Sequence, residues 1–357
     1  WIISNPHQPA LRPIAMTQPL VECVPNFSEG RDKSVIDSIV QPIVDSSDVT
    51  LLDIDMGADF NRTVVTMVGE PEAVLRTVIE CTGIALNLID MSNHSGEHAR
   101  MGAVDVVPFI PISKVSMAEC VELSRRYAIA VSEQYSLPVY LYAKSAVTDQ
   151  RIHLPDIRKG EYEGLSDKIT SIEWTPDYGP AEFIPSMGAT ATGARNLLIA
   201  YNVNLNTSDK SLANSIASKI RSSGSIVKDS DGQIVRDDDG KALRNPGIFS
   251  NLQAAGWMYD EDTAQVSMNL LDYSITGLHH VTDSIRTEAA KIGLNVVGSE
   301  LVGLVPLNAM LDAGRHYSDD GGEERVLVEH AINGLMLDTL EEFDPQVNII
   351  EWAIKER

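Results

Sequence analysis

Hydrophobic positions along the first half of the chain switch repeatedly between a period of two and a period near 3.6. Residues 20–25 (LVECVP) form a short apolar run, and 32–44 place Val35, Ile36, Ile39, Val40 and Ile43 on one helical face. Residues 49–55 (VTLLDID) and 62–68 (RTVVTMV) read as strands joined through the turn-like MGADFN at 56–61. Pro71 opens a helix to about Leu88, where its missing N–H is harmless. Residues 103–109 give a fourth strand, completing the order β-α-β-β-α-β, the split βαβ or ferredoxin-like pattern. A helix over 116–134 and a strand over 138–142 extend this half.

Residues 145–176 are polar and broken by Pro155 and Pro176, which places a domain boundary at 177. The pattern then restarts with a strand (196–205), a helix (208–220), strands (252–259 and 265–271), a helix (276–292) and a strand (295–300). The duplication rests on element order, without a residue-by-residue repeat. Asp-Gly pairs at 231–232 and 239–240 mark 224–246 as a solvated, turn-rich hairpin. Helical stretches over 307–313 and 323–336 precede a segment ending near Trp352. The expected fold is α+β, with two subdomains of the same element order at 18–177 and 178–357. Residues 1–15 contain three prolines and no signal-peptide pattern. Met16 reads as a natural start, so residues 1–17 are set aside as a leader.

Composition narrows the class without naming a chemistry. The 357 residues are 43% hydrophobic and 22% charged, as in ordinary globular proteins, and suggest about two domains. No apolar run reaches the ~20 residues of a membrane span. A formal charge of −23 argues against nucleic-acid and anionic-membrane partners, and leaves small molecules in a locally positive pocket. Cys23, Cys81 and Cys120 are far apart, with no CxxC and no nearby histidine. They read as buried thiols of a cytoplasmic protein, with no metal site.

The richest stretch is 90–111, DMSNHSGEHARMGAVDVVPFIP. Its glycines permit close backbone approach, and His98 sits on a loop held by the strand that follows, as proton transfer near neutral pH requires. Taken alone, the stretch reads equally well as a surface turn.

Several strings occur in a telling order: VECVPNFSEG (21–30), LLDIDMG (51–57), NRT (61–63), GEHARMGAVDVVPFIP (96–111), PVYLYAKSA (138–146), GPAEFIPSMGATATGARNLLIAYNVNLN (179–206) and VVGSELVGLVPLNAML (296–311). Together they resemble the formiminotransferase domain of glutamate formiminotransferases over roughly residues 18–353. The resemblance implies two ferredoxin-like subdomains whose sheets pack face to face around a folate tunnel, in a homodimer without the cyclodeaminase domain of animal members. It implies transfer of a formimino group from N-formimino-L-glutamate to tetrahydrofolate, giving 5-formiminotetrahydrofolate and glutamate in histidine degradation, with no metal. Tetrahydrofolate enters as co-substrate. The sequence departs from the pattern at Ala99, where the family has proline after its histidine, and at Met187, where animal members carry tryptophan.

The reaction needs one proton taken from the attacking nitrogen and one given to the leaving nitrogen, and one histidine serves both. The resemblance puts that role on His98. Asp55, with Asp53 as rival two residues away on the same face, is the carboxylate to stabilise the cationic formimino group. The resemblance implies folate contact by the string Gly179, Pro180, Ala181, Glu182, Phe183, Ile184, Pro185, Ser186, Met187 and Gly188, which by itself reads as a plain interdomain linker. Arg62, Arg100 and Arg195 are candidates to pair ligand carboxylates, with a structural ion pair as the alternative for each. Asn26 and Asn61 either bond ligand or form turns. His94 reads as a loop histidine, and His279 and His280 as packing or surface. Two other readings stay open: a glutamate formyltransferase acting on 5-formyltetrahydrofolate, and an inactive folate-binding protein.

Overall fold

The structure is a computed structural model that describes residues 18–318 and 321–356, so the expected leader at 1–17 lies outside the described residues. Two compact units are present: one runs to Asn196 and takes in the residues from Ile354 onward, the other spans Leu197–Ala353.

In the first unit, β1 (Leu20–Cys23) and β2 (Asn26–Phe27) are one strand interrupted at Pro25, which has no N–H for the ladder. Both pieces pair antiparallel with β4 (Arg62–Gly69) on one side and β5 (Val104–Ser113) on the other. Next to β4 lies β3 (Val49–Gly57), also antiparallel. Three helices cover one face: α1 (Lys33–Val44), α2 (Pro71–Leu88) and α3 (Met117–Tyr135). Asp32 and Glu70 cap the first two, and a reciprocal Ser116–Glu119 box starts the third. Beneath them Ile39, Val78, Phe27, Phe109 and Tyr127 are fully buried. The three cysteines are free and buried in this core, and burial pushes the Cys81 and Cys120 thiols up to about 12.

The sheet continues past β5 in parallel, through β7 (Thr190–Ala194) to β6 (Val139–Ala143). Strand β7, TATGA, is buried along its whole length. Its small residues carry no apolar alternation, which hid it from pattern reading. Because β7 completes the first sheet, the division between the units falls at Asn196/Leu197 instead of 177. The polar segment before it is structured as well. A 3₁₀ turn (Asp149–Arg151), α4 (Leu154–Arg158) and α5 (Leu165–Ile169) place Ile157, Leu165 and Ile169 against Tyr140, Val106 and Ala191 on the opposite face from the three long helices. Arg151, nearly buried, is tied to Asp177 at 2.5 Å and donates to the carbonyls of Glu173 and Thr175.

The second unit begins with β8 (Ile199–Leu205) and α6 (Lys210–Ile220). A small excursion through β9 (Ser225–Ile226) and β10 (Arg244–Asn245) leads to β11 (Leu252–Met258) and β12 (Ala264–Leu270). Then follow α7 (Leu278–Ala290), β13 (Val296–Val302), α8 (Leu307–Tyr317), α9 (Glu324–Leu335), α10 (Pro345–Asn348) and α11 (Ile350–Glu356). The sheet order β11-β12-β8-β13 is antiparallel throughout. It matches β3-β4-β1/β2-β5 of the first unit position for position. His279 is buried in the first turn of α7, its ring 4.0 Å from that of His280 and 4.7 Å from His316.

The excursion contains a short tandem repeat, VKDSDGQI then VRDDDGKA. Asp229 Oδ1 accepts from the amides of Asp231 and Gln233, and Asp237 Oδ1 repeats the arrangement with Asp239 and Lys241. Gly232 and Gly240 supply the left-handed turns, at φ 79° and 78°. Backbone bonds run from Val235 N to Val227 O, from Leu243 N to Val235 O and from Val227 N to Leu243 O, closing a ring of three.

Replacing Asp177 by alanine would leave the Arg151 guanidinium buried without its counter-ion. Urea denaturation should show a loss of about 3 kcal/mol, at the low end for such pairs because two carbonyls still accept from Arg151.

Candidate functional site

Three sequence strings converge on the loop that carries His98. Asp90 caps a 3₁₀ turn over Met91–Asn93, and Met91 N donates to Ser186 O at 2.9 Å. Farther along, Ala103 N donates to Met187 O and Ala189 N to Met101 O, with a bridge between Gly102 and Gly188. The string 179–188 therefore runs beside the histidine loop. Glycine is what allows it: a Cβ on Gly102 would lie 2.4 Å from Ala189 O, and Gly188 is left-handed at φ 67°. On the other flank Asn61, itself at φ 47°, accepts from Gly30 N and donates from Nδ2 to Ser95 O, both at 3.0 Å. Its amide thus ties the 26–30 turn to the histidine loop.

Arg62 and Asn26 share the sheet face opposite the three long helices, and so do Asp53 and Asp55. Strand alternation dictates this, since Ile54 and Met56 pack into the helix-side core. Arg62 Nη1 donates to Asn26 Oδ1 and to His98 Nε2, each at 3.0 Å. A guanidinium cannot accept, so Nε2 presents its lone pair and the ring proton sits on Nδ1. Nδ1 is buried without a hydrogen-bond partner. Desolvation, then the charges of Arg62 and Arg158, lower the His98 pKa to about 3. Asp55 is exposed, and its carboxylate acts on Arg62 through space, raising the guanidinium's proton affinity against desolvation and Arg158.

Arg100 is differently employed. Its guanidinium is almost buried, forks onto Glu163 at 2.9 and 2.6 Å, reaches Glu161 at 3.3 Å, and donates from Nε to His94 Nδ1 at 3.2 Å. His94 Nε2 in turn bonds Asn61 O at 2.9 Å. Arg100 and His94 thus brace the loop. Next to them Tyr162 donates to Pro185 O at 2.7 Å and packs on Phe183 with ring centroids 5.4 Å apart. Ile184 O caps the string by accepting from Gly188 N, whereas Ala181, Glu182, Pro185 and Ser186 are exposed. Gly179, left-handed at φ 80°, starts the string before Pro180. Arg195, at the end of β7, donates to Asn196 O and is not joined to this cluster by any described hydrogen bond.

Pattern reading overlooked two residues of the site. Asp105, 1% exposed, accepts from Met101 N at 2.8 Å and from Arg158 Nη2. A carboxylate inside the apolar run AVDVVPF was the available signal, because a buried charge needs a partner. Arg158 lay in a polar stretch with nothing to single it out.

Residues 20–195 match the formiminotransferase domain, N-terminal subdomain, and residues 200–355 match the formiminotransferase domain. The chain belongs to the formiminotransferase family. It is 37% identical to a glutamate formimidoyltransferase of Streptococcus pyogenes serotype M1, over 88% of this chain and 99% of that protein. It is 39% identical to one from Thermoplasma acidophilum, over 84% and 92%. Against formimidoyltransferase-cyclodeaminase of Mus musculus it is 47% identical over 94% of this chain, and spans 60% of that relative's length. Among the described residues, no helix is long and apolar enough to cross a membrane, and no group of three or more His, Cys, Asp or Glu is placed to hold a metal ion.

In this formiminotransferase chain the His98 imidazole should stay neutral in NMR titrations down to about pH 5, given a pKa of about 3. Arg62→Gln should move its titration upward. The folded-state value lies below the ~6.5 of a free imidazole, so the unfolded chain binds the proton more tightly. Stability from this group is therefore complete above that value and is lost as pH falls towards 3. Denaturation midpoints between pH 4 and 7 should fall less steeply in His98→Gln than in the parent.

Proposed function

We propose that the chain transfers the formimino group of N-formimino-L-glutamate to tetrahydrofolate, with His98 moving the protons. The contact between Arg62 Nη1 and His98 Nε2 carries this reading. It holds a neutral imidazole with its lone pair aimed from a braced loop, beside a cationic group suited to a dicarboxylate donor. Tetrahydrofolate supplies the attacking ring nitrogen, whose proton must leave as the new C–N bond forms. When a glutamate carboxylate takes up Arg62, two things follow: Nε2 is released, and a charge that depresses its basicity is offset. His98 then accepts the proton and passes it to glutamate's nitrogen as that C–N bond breaks. Asp55 faces the same side as Arg62 and offers its charge to the protonated formimino carbon–nitrogen unit.

The string 179–188, laid along the histidine loop by the Met91, Ala103 and Ala189 backbone bonds, is the proposed folate contact in this unit. Arg100, held by Glu163, and Asn61, held by Gly30 and Ser95, act by positioning the loop. Each unit is read as ferredoxin-like, on their common strand order. A cytoplasmic homodimer is the proposed setting.

Steady-state assays with formiminoglutamate and tetrahydrofolate test the reading, and absence of turnover rejects it. His98→Asn should lower kcat by ~100-fold or more while folate binding persists. Turnover with formylglutamate in place of formiminoglutamate would assign the formyl-transfer alternative.

A further inference from the structure

Arg158 reaches Asp105 from α4, a helix of five residues, which is too short to hold its own shape in water. Among the described hydrogen bonds Asp105 is the one partner of its guanidinium, and Nε is buried without any. A single bond at the tip leaves most of a long side chain's freedom in place, so the backbone that carries it has to be held from elsewhere. Lys168 on α5 holds it. The half-buried ammonium donates to Asp156 O at 3.4 Å, Ile157 O at 2.5 Å and Lys159 O at 3.0 Å, which occupies all three of its protons. The last two carbonyls bracket Arg158 at the end of α4, where the helix supplies no further N–H. No neutral side chain offers three donors, so this place calls for a lysine. The ammonium is anchored in turn: it lies 3.9 Å from the centroid of the Trp174 ring, and Trp174 O accepts from Tyr140 Oη of β6 at 2.7 Å.

A continuous path of contacts therefore leads from the sheet to the histidine loop: Trp174, Lys168, the 156–159 backbone, Arg158, Asp105 and the Met101 amide at the loop's exit. We infer that Lys168 is a positioning residue for His98, acting through Arg158 and Asp105, and so for the transfer reaction proposed above, on which this inference rests. Charge reaches His98 from Arg62 on β4, Arg158 on α4 and Arg100 on its own loop, while Asp55 and Asp105 act on Arg62. Any displacement of α4 thus alters both the seat of the imidazole and the field on it. Burial, then the charges of Lys159 and Arg151, lower the Lys168 pKa to about 8, so the clamp stays charged throughout an acid titration.

Lys168→Met in the full chain keeps the apolar stem and removes the three donors. With formiminoglutamate and tetrahydrofolate at pH 7, kcat should fall about tenfold while both KM values hold, because small displacements of a catalytic group are felt in turnover. Arg158 would no longer be kept at its distance from the imidazole, so the NMR titration of His98 should move upward from about 3. Lys159→Met removes a charge of the same sign from an exposed position close by, and should change neither readout. Lys168→Gln, with two donors and no charge, should show the same changes at smaller size, and carries the test if Lys168→Met does not fold. Unchanged kcat and titration in a folded Lys168 variant overturn the inference and leave the lysine a local brace of the insert. A raised KM at unchanged kcat also overturns it, as contact with substrate would produce. Equal shifts in the Lys159 and Lys168 variants overturn it as well, since the effect is then one of charge alone. If the parent chain shows no turnover, the function proposed above fails, while the titration still decides whether Lys168 positions His98.

Discussion

A single carboxylate, sealed in the middle of a strand, governs how the first unit is assembled. Asp105 cannot remain charged in a core without partners, and it has two: the Met101 amide of the histidine loop and the Arg158 guanidinium at the end of α4. One oxygen fixes the loop's exit, and the other obliges the short helices of 145–176 to dock on the sheet. The cation drawn in to balance Asp105 is also one of the charges that hold the neighbouring imidazole unprotonated. Fold and electrostatics therefore share one cause, and the insert is part of the site without touching His98 by a described hydrogen bond.

Much of this architecture was legible before any coordinates. Long amphipathic segments such as 32–44 and 71–88, and alternating strands such as 62–68, announce themselves because burial of one face imposes the period. The strand TATGA at 190–194 does not, since packing between two parallel neighbours selected small residues over apolar ones. Motifs singled out the histidine, glycines and asparagine that the structure brings together around the 90–103 loop. They could not say which arginine does what: Arg62 and Arg100 look alike in the sequence. One points onto the polar sheet face, and the other is claimed by glutamates more than sixty residues away. Only tertiary placement separates a guanidinium bonded to neutral Asn26 and His98 from one tied to two carboxylates.

The two units share a strand order but differ in the polarity of the face their long helices leave uncovered. In the first, that face carries Asp53, Asp55 and Arg62, groups suited to charged substrates and proton transfer. In the second, it carries the neutral amides of Asn204, Gln265 and Asn202. One strand order thus presents two surfaces of different polarity.

The ring of three backbone bonds among Val227, Val235 and Leu243 has a consequence for how this acidic excursion behaves in solution. An exposed β ribbon ordinarily offers an open edge on which another chain can add a strand. Here each of the three residues uses both its N–H and its C=O within the ring, leaving those groups no vacancy for a stranger. The projection can reach into solvent without seeding self-association, and this protection depends on having both repeats: remove one eight-residue repeat and the circle opens.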